Sequence, residues 1–137
     1  METGGEASLV ELRIPCRPEY VGVARLAMLG VASRMRFSYD EVEDVRLAVG
    51  EACTTAVEWA SRNARENSHI AVRSSIMDTR LVIDIIDQAG ERRESSKQIA
   101  DSEQESLGAL LITLLVDDIT VKPVEGGTHV QMVKNVG

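Results

Sequence analysis

The chain has 137 residues, the size of one domain, and 44% of them are hydrophobic, enough for a core without disulfide or metal staples. Lys+Arg 15 against Asp+Glu 22 gives a formal net charge of −7, and aromatic residues make up only 3%. Such a chain lacks both the basic face that grips nucleic-acid phosphates and the ring platform on which bases stack, so general nucleic-acid binding is excluded.

The N-terminal METGGEASLVEL has no basic region and no long apolar stretch, and no window approaches the ~18 apolar residues of a membrane span. Cys16 and Cys53 follow no metal or redox spacing and read as buried thiols of a reducing compartment rather than as a disulfide. The expectation is one soluble, cytoplasmic domain over residues 1–137.

In chain order, Leu9 to Ile14 reads as a short strand stopped by Pro15, and Pro18 suits the first turn of a helix. Val21, Ala24, Met28, Val31 and Met35 recur at spacings of three and four, a helical stripe. After a break at Arg34 to Ser38, a long helix opens at Ser38 to Asp40 and runs to about Arg65. Its stripe is Val45, Ala48, Val49, Ala52, Ala56, Trp59 and Ala60, with Asp44, Glu51, Thr55 and Glu58 on one flank.

His69 to Met77 and Arg80 to Asp87 read as two strands of a hairpin turned at Asp78-Thr79. Residues 88–106 are polar and without period, which predicts a functional lid or a disordered loop. Leu107 to Val116 is expected to be an apolar helix buried nearly all round. Ile119 to Val124 and Thr128 to Val133 close the chain as a hairpin turned at Glu125-Gly126-Gly127. The order predicts a two-layer α/β sandwich, a mixed and mostly antiparallel sheet covered by three helices.

Three positions carry candidate chemistry. Glu51, one turn before Thr55 on the same helix flank, is placed either to act as a general base or to remain a solvated surface glutamate. Asp87 ends the most apolar strand just before the turn at Gln88-Ala89-Gly90; it suits a ligand's amino group or an ordinary turn. Gly108, read as preceding the apolar helix, would let backbone N–H groups close on an anion at the helix N-terminus, although a Ser106 cap explains it as well.

The runs Pro18-Glu19-Tyr20-Val21-Gly22, Gly30-Val31-Ala32-Ser33-Arg34-Met35, Tyr39-Asp40-Glu41-Val42-Glu43-Asp44 and Ala48-Val49-Gly50-Glu51-Ala52-Cys53-Thr54 closely resemble RsbW-type anti-sigma factors. The likeness is dense over residues 15–60 and resumes over 107–134. These are serine-protein kinases with the ATP-binding fold shared by histidine kinases and gyrase. The resemblance implies an alternative sigma factor as the sequestered partner, and a STAS-type anti-anti-sigma factor phosphorylated on serine. It also implies a homodimer, with residues 88–106 as the ATP lid.

By the same resemblance Glu51 is the base for the serine hydroxyl, Asp87, Gly90 and Thr128 hold the adenine end of ATP, and Gly108 serves the phosphates. Thr55 stands where the family has an asparagine that holds Mg²⁺. Ala89 stands where the family has a glycine, with Gly90 one place late, and Ser106 replaces the first glycine of the phosphate loop. Two functions are therefore expected: the ATP-dependent kinase, or a binding-only module that has lost ATP.

Overall fold

A computed structural model describes residues 8–91 and 99–137, with side chains of the second stretch from Leu107 onward. The elements are β1 (Ser8–Pro15), a single 3-10 turn at Pro18–Tyr20, α1 (Val21–Ala32), α2 (Tyr39–Arg62), β2 (His69–Ile76), β3 (Arg80–Asp87), α3 (Ile99–Leu115), β4 (Asp118–Val124) and β5 (Gly127–Asn135). The five strands form one sheet in the order β1-β2-β3-β5-β4. Every adjacent pair is antiparallel, so the expected mixed sheet is corrected to an antiparallel one. The return through α3 and β4 inserts β5 between β3 and β4, and no described pair of strands runs parallel.

Strand alternation decides what each face carries. Ile70, Val72 and Ser74 of β2, Leu81, Ile83, Ile85 and Asp87 of β3, and Thr128, Val130 and Met132 of β5 are all buried, on the helix-covered face. Asp87 therefore points into the protein because it is in phase with three core residues of its own strand. The other face carries a polar row: Arg73 pairs with Glu11 at 3.2 Å, and Asp84 Oδ1 lies 2.7 Å from His129 Nε2 and accepts from Gln131 Nε2 at 2.9 Å.

The helices follow their stripes. All seven apolar positions expected of α2 are buried, and α1 buries Val21, Ala24, Met28 and Val31 against them. The start of α2 is set by a capping box. Glu41 N–H donates to Ser38 Oγ at 3.1 Å, and Ser38 N–H donates to Glu41 Oε1 at 2.7 Å. Two unpaired helix donors are thus satisfied reciprocally.

α3 departs from expectation twice. It begins at Ile99, so residues 99–106 of the expected lid loop are helical, while residues 92–98 lie outside the described residues. The run Asp101-Ser102-Glu103-Gln104-Glu105 contains good helix formers but no apolar period, and a helix without a buried stripe leaves no periodic trace in sequence. Nor is the C-terminal half buried all round. Ile112 is 5% exposed, whereas Leu107, Leu110, Leu111 and Leu114 are 65%, 56%, 43% and 75% exposed. From Leu107 onward, Ile112 is buried on one side of α3 while the four leucines on the other side stay exposed.

Candidate functional site

The site is built where α2, the end of β3, the start of β5 and α3 converge. Asp87 is 1% exposed and faces Thr128 across the β3–β5 ladder, and Thr128 is itself buried. Asp87 Oδ1 accepts the N–H of Ala89 at 3.0 Å, an interaction that closes the chain into a tight turn after the strand. The left-handed conformation of that turn falls on Gly90, at φ +94°, and Gly90 N–H donates to Gly126 O at 2.9 Å. Ala89 needs no such conformation, so its methyl group is tolerated and simply buried.

Two residues that complete this corner were not foreseen. Asn63, at the end of α2, donates from Nδ2 to Ala89 O at 2.8 Å and fixes the turn from the helix side. Gly127 was read only as part of a hairpin turn. A Cβ there would overlap the Asp87 carbonyl oxygen and lie 2.9 Å from Asp87 Oδ1, so glycine is what lets β5 approach Asp87. The Gly126-Gly127 doublet was the available signal: one glycine serves the turn and the second the approach.

Cys53, also unforeseen as part of this corner, is fully buried on α2. Burial foremost, then the neighbouring Cys16 and Asp87, push its thiol up to about 12, while Arg25 acts in the opposite direction. Cys16 and Cys53 are both buried thiols, and no disulfide joins them.

Beside the corner, a cavity of about 250 Å³ opens between the two layers, lined by Ala52 and Thr55 of α2, Ala109 and Ile112 of α3, Ile119 and Val121 of β4 and Val130 of β5. Its wall is apolar apart from Thr55, whose hydroxyl donates to the Glu51 backbone carbonyl at 3.1 Å. Val130 follows Thr128 by two residues on the same face of β5, so the cavity and the Asp87–Thr128 pair are neighbours along one strand.

Glu51 is half-buried and faces Gly108: a Cβ on Gly108 would lie 3.4 Å from Glu51 Oε2. These two predicted residues are therefore brought together, but not in the predicted way. Gly108 lies inside α3, not at its N-terminus, and Ser106 is also within the helix rather than capping it. The amides of an interior turn are committed to the helix ladder, so Gly108 offers no ring of free N–H groups to an anion. It lies beside the Glu51 carboxylate, where even an added methyl group would make only ordinary van der Waals contact.

The residues present fit the nucleoside end of ATP: a buried carboxylate for an amino group, a hydroxyl beside it, and an apolar cavity large enough for a planar base. That volume is below the ~300–1,000 Å³ of pockets that enclose whole ligands. Mg²⁺ fits less well. It wants several hard oxygens, and the cavity wall supplies only Thr55. Among the described residues no group of three or more His, Cys, Asp or Glu is arranged to hold a metal.

Residues 14–134 match the family described as histidine kinase-like ATPase domain. The chain is 34% identical to the serine-protein kinase RsbW of Bacillus licheniformis, over 93% of this chain and 86% of that protein. It is 38% identical to the RsbW of Bacillus pumilus, over 88% and 82%, and 34% identical to that of Bacillus subtilis, over 89% and 82%. Among solved structures, the RsbU and RsbW domains of a Mycobacterium tuberculosis protein share the fold, with a TM-score of 0.71 at 15% identity. The match spans 93% of this chain and 32% of that longer one.

Proposed function

Because the chain belongs to the RsbW-type serine-protein kinases of the histidine kinase-like ATPase family, we propose that it is an anti-sigma regulator. It holds an alternative sigma factor and phosphorylates a STAS-type anti-anti-sigma partner on serine. The observation that carries the kinase half is the buried Asp87–Thr128 pair beside an apolar cavity, the arrangement a neutral base with an exocyclic amino group requires.

Each residue has a derived task. The Asp87 carboxylate accepts from the base amino group, an interaction strong in a dry site and costly to leave unmade. Thr128 supports that carboxylate from the facing strand, and Gly90 and Gly127 hold the backbone around it. Glu51 takes the proton of the target serine hydroxyl, and its place against Gly108 lets α3 set its direction. ATP, when bound, supplies the phosphoryl group. Among the described residues that line the cavity, Thr55 is the one with a hydroxyl to share a metal. The protein works in the cytoplasm as a homodimer, through the exposed apolar side chains of β1 and α1, among them Val10, Val23 and Leu26. No helix of the described residues is long and apolar enough to cross a membrane.

A second reading, a partner-binding module that works without nucleotide, is favoured by the Thr55 substitution and by Gly108 lying inside a helix. Calorimetric titration with Mg-ATP, then single-turnover phosphorylation of the cognate anti-anti-sigma protein, separates the two. Heat and a labelled serine support the kinase. Neither signal, with sigma-factor and antagonist binding retained, removes the kinase and leaves the module. Thr55→Asn restores an amide oxygen at the metal position and should raise Mg-ATP affinity about tenfold if that ligand is the limiting loss. Unchanged affinity assigns the loss to the α3 end.

A further inference from the structure

We propose that the outer face of α3 is a docking surface for a basic amphipathic helix of a partner protein. Leu107, Leu110, Leu111 and Leu114 recur at i, i+3, i+4 and i+7 and fall within about a 100° arc, a ridge of the kind that packs into another helix. All four are exposed, while Ile112 on the opposite side is buried. The fold itself therefore makes little use of these leucines, and a contiguous apolar patch is uncommon on a soluble surface that has no partner. The proposal is independent of the kinase reading, because this face points away from Glu51 and the cavity.

The stripe is presented on an anchored element. Lys134 Nζ donates to Leu115 O at 2.8 Å and to Asp44 Oδ2 at 3.3 Å, tying the last turn of α3 to β5 and α2. The charge around it selects the occupant. The last turn of α3 has no basic residue, and the exposed Asp117 and Asp118 follow directly, beside the negative end of the helix dipole. The segment of α3 before the stripe reads Asp101-Ser102-Glu103-Gln104-Glu105-Ser106, with three acids and no base. A second copy laid along the stripe sets acid against acid in either direction, and an anionic lipid surface is repelled in the same way. Lysines or arginines flanking a complementary apolar stripe meet opposite charge at Asp117 and Asp118, and the sequence at the other end of the stripe holds acids and no base to repel them.

The test uses three labelled helical peptides of about five turns. One has leucines at the i, i+3, i+4, i+7 spacing and lysine flanks, the second has the same leucines and glutamate flanks, and the third has lysines with the leucines scrambled. Fluorescence anisotropy with the full chain should show the first binding at least tenfold more tightly than the other two, and weakening with salt. Leu110→Glu and Leu114→Glu should each lose at least tenfold. Leu110→Ser and Leu114→Ser, milder at exposed positions, should lose affinity in the same order, and Tyr39→Glu at the exposed start of α2 should change nothing. Equal binding of the scrambled lysine peptide reduces the surface to bulk charge and overturns the proposal, as does equal binding of the glutamate peptide. Sedimentation showing a wild-type dimer that Leu114→Glu dissolves makes the occupant a second copy and overturns it too.

Discussion

Replacing Gly127 by alanine tests the logic of the Asp87 corner most directly. The added methyl group would overlap the Asp87 carbonyl oxygen and lie 2.9 Å from Oδ1 of the same residue. The carbonyl belongs to a strand paired on either side, so the nearest obstacle is backbone that cannot swing away. Relief requires the first residues of β5 to lift from β3, at the position where Thr128 faces Asp87. Overpacking of this kind costs about 1–3 kcal/mol, and the loosened ladder bond adds about 1 kcal/mol. A total near 3 kcal/mol lowers the melting temperature of a domain this size by about 10 °C. Gly30→Ala is the matched control. It lies inside α1 with nothing within 4 Å of an added Cβ, and alanine should stabilise the helix by about 0.5–1 kcal/mol. Thermal melts followed by circular dichroism read both. If Gly127→Ala melts within about 2 °C of the parent, β5 does not depend on glycine to approach Asp87 and the argument fails.

Three further expectations follow from the packing. Ser38→Ala removes one half of the α2 capping box and should cost about 1 kcal/mol in urea denaturation, while Glu41→Gln, which keeps an acceptor, should cost less. The folded chain keeps the Cys53 proton that the unfolded chain releases near the ordinary value of 9.0. Stability should therefore fall as pH rises from 9.0 toward about 12, by at most about 1.4 kcal/mol per pH unit, and Cys53→Ala should flatten that slope. Lys134→Met leaves the last turn of α3 without its anchor and should cost about 1–2 kcal/mol, with faster amide exchange in that turn but not in β1 or β2.

What could be read from the sequence divides along a physical line. Strands with one buried face and helices with one buried stripe write their geometry as a period, so β3, β5 and all seven positions of the α2 stripe were legible. Glu51, Asp87 and Thr128 were legible as motif positions. α3 was not, because the sequence of its first half carries no apolar period and its second half is apolar on both sides. A continuous run of Leu and Ile says that a helix is apolar without saying which side is covered. Gly108 was misplaced for the same reason, since its role depends on where the helix begins. Asn63 acts through a contact distant in sequence that no local pattern announces, whereas the approach at Gly127 leaves one local sign, the Gly126-Gly127 doublet.

The strand order carries an evolutionary consequence. Asp87 and Thr128 are separated by about forty residues, including α3 and β4, yet they meet in the centre of the sheet. Closing a chain segment becomes harder only slowly with its length; doubling a flexible loop adds about 0.6 kcal/mol. The stretch between the end of β3 and α3 can therefore lengthen or shrink across generations at little expense to the sheet on either side. Insertions and deletions in that connection leave the paired strands β3 and β5 free to keep their register. In this architecture the surroundings of the proposed site can vary while the sheet that sets Asp87 against Thr128 stays folded.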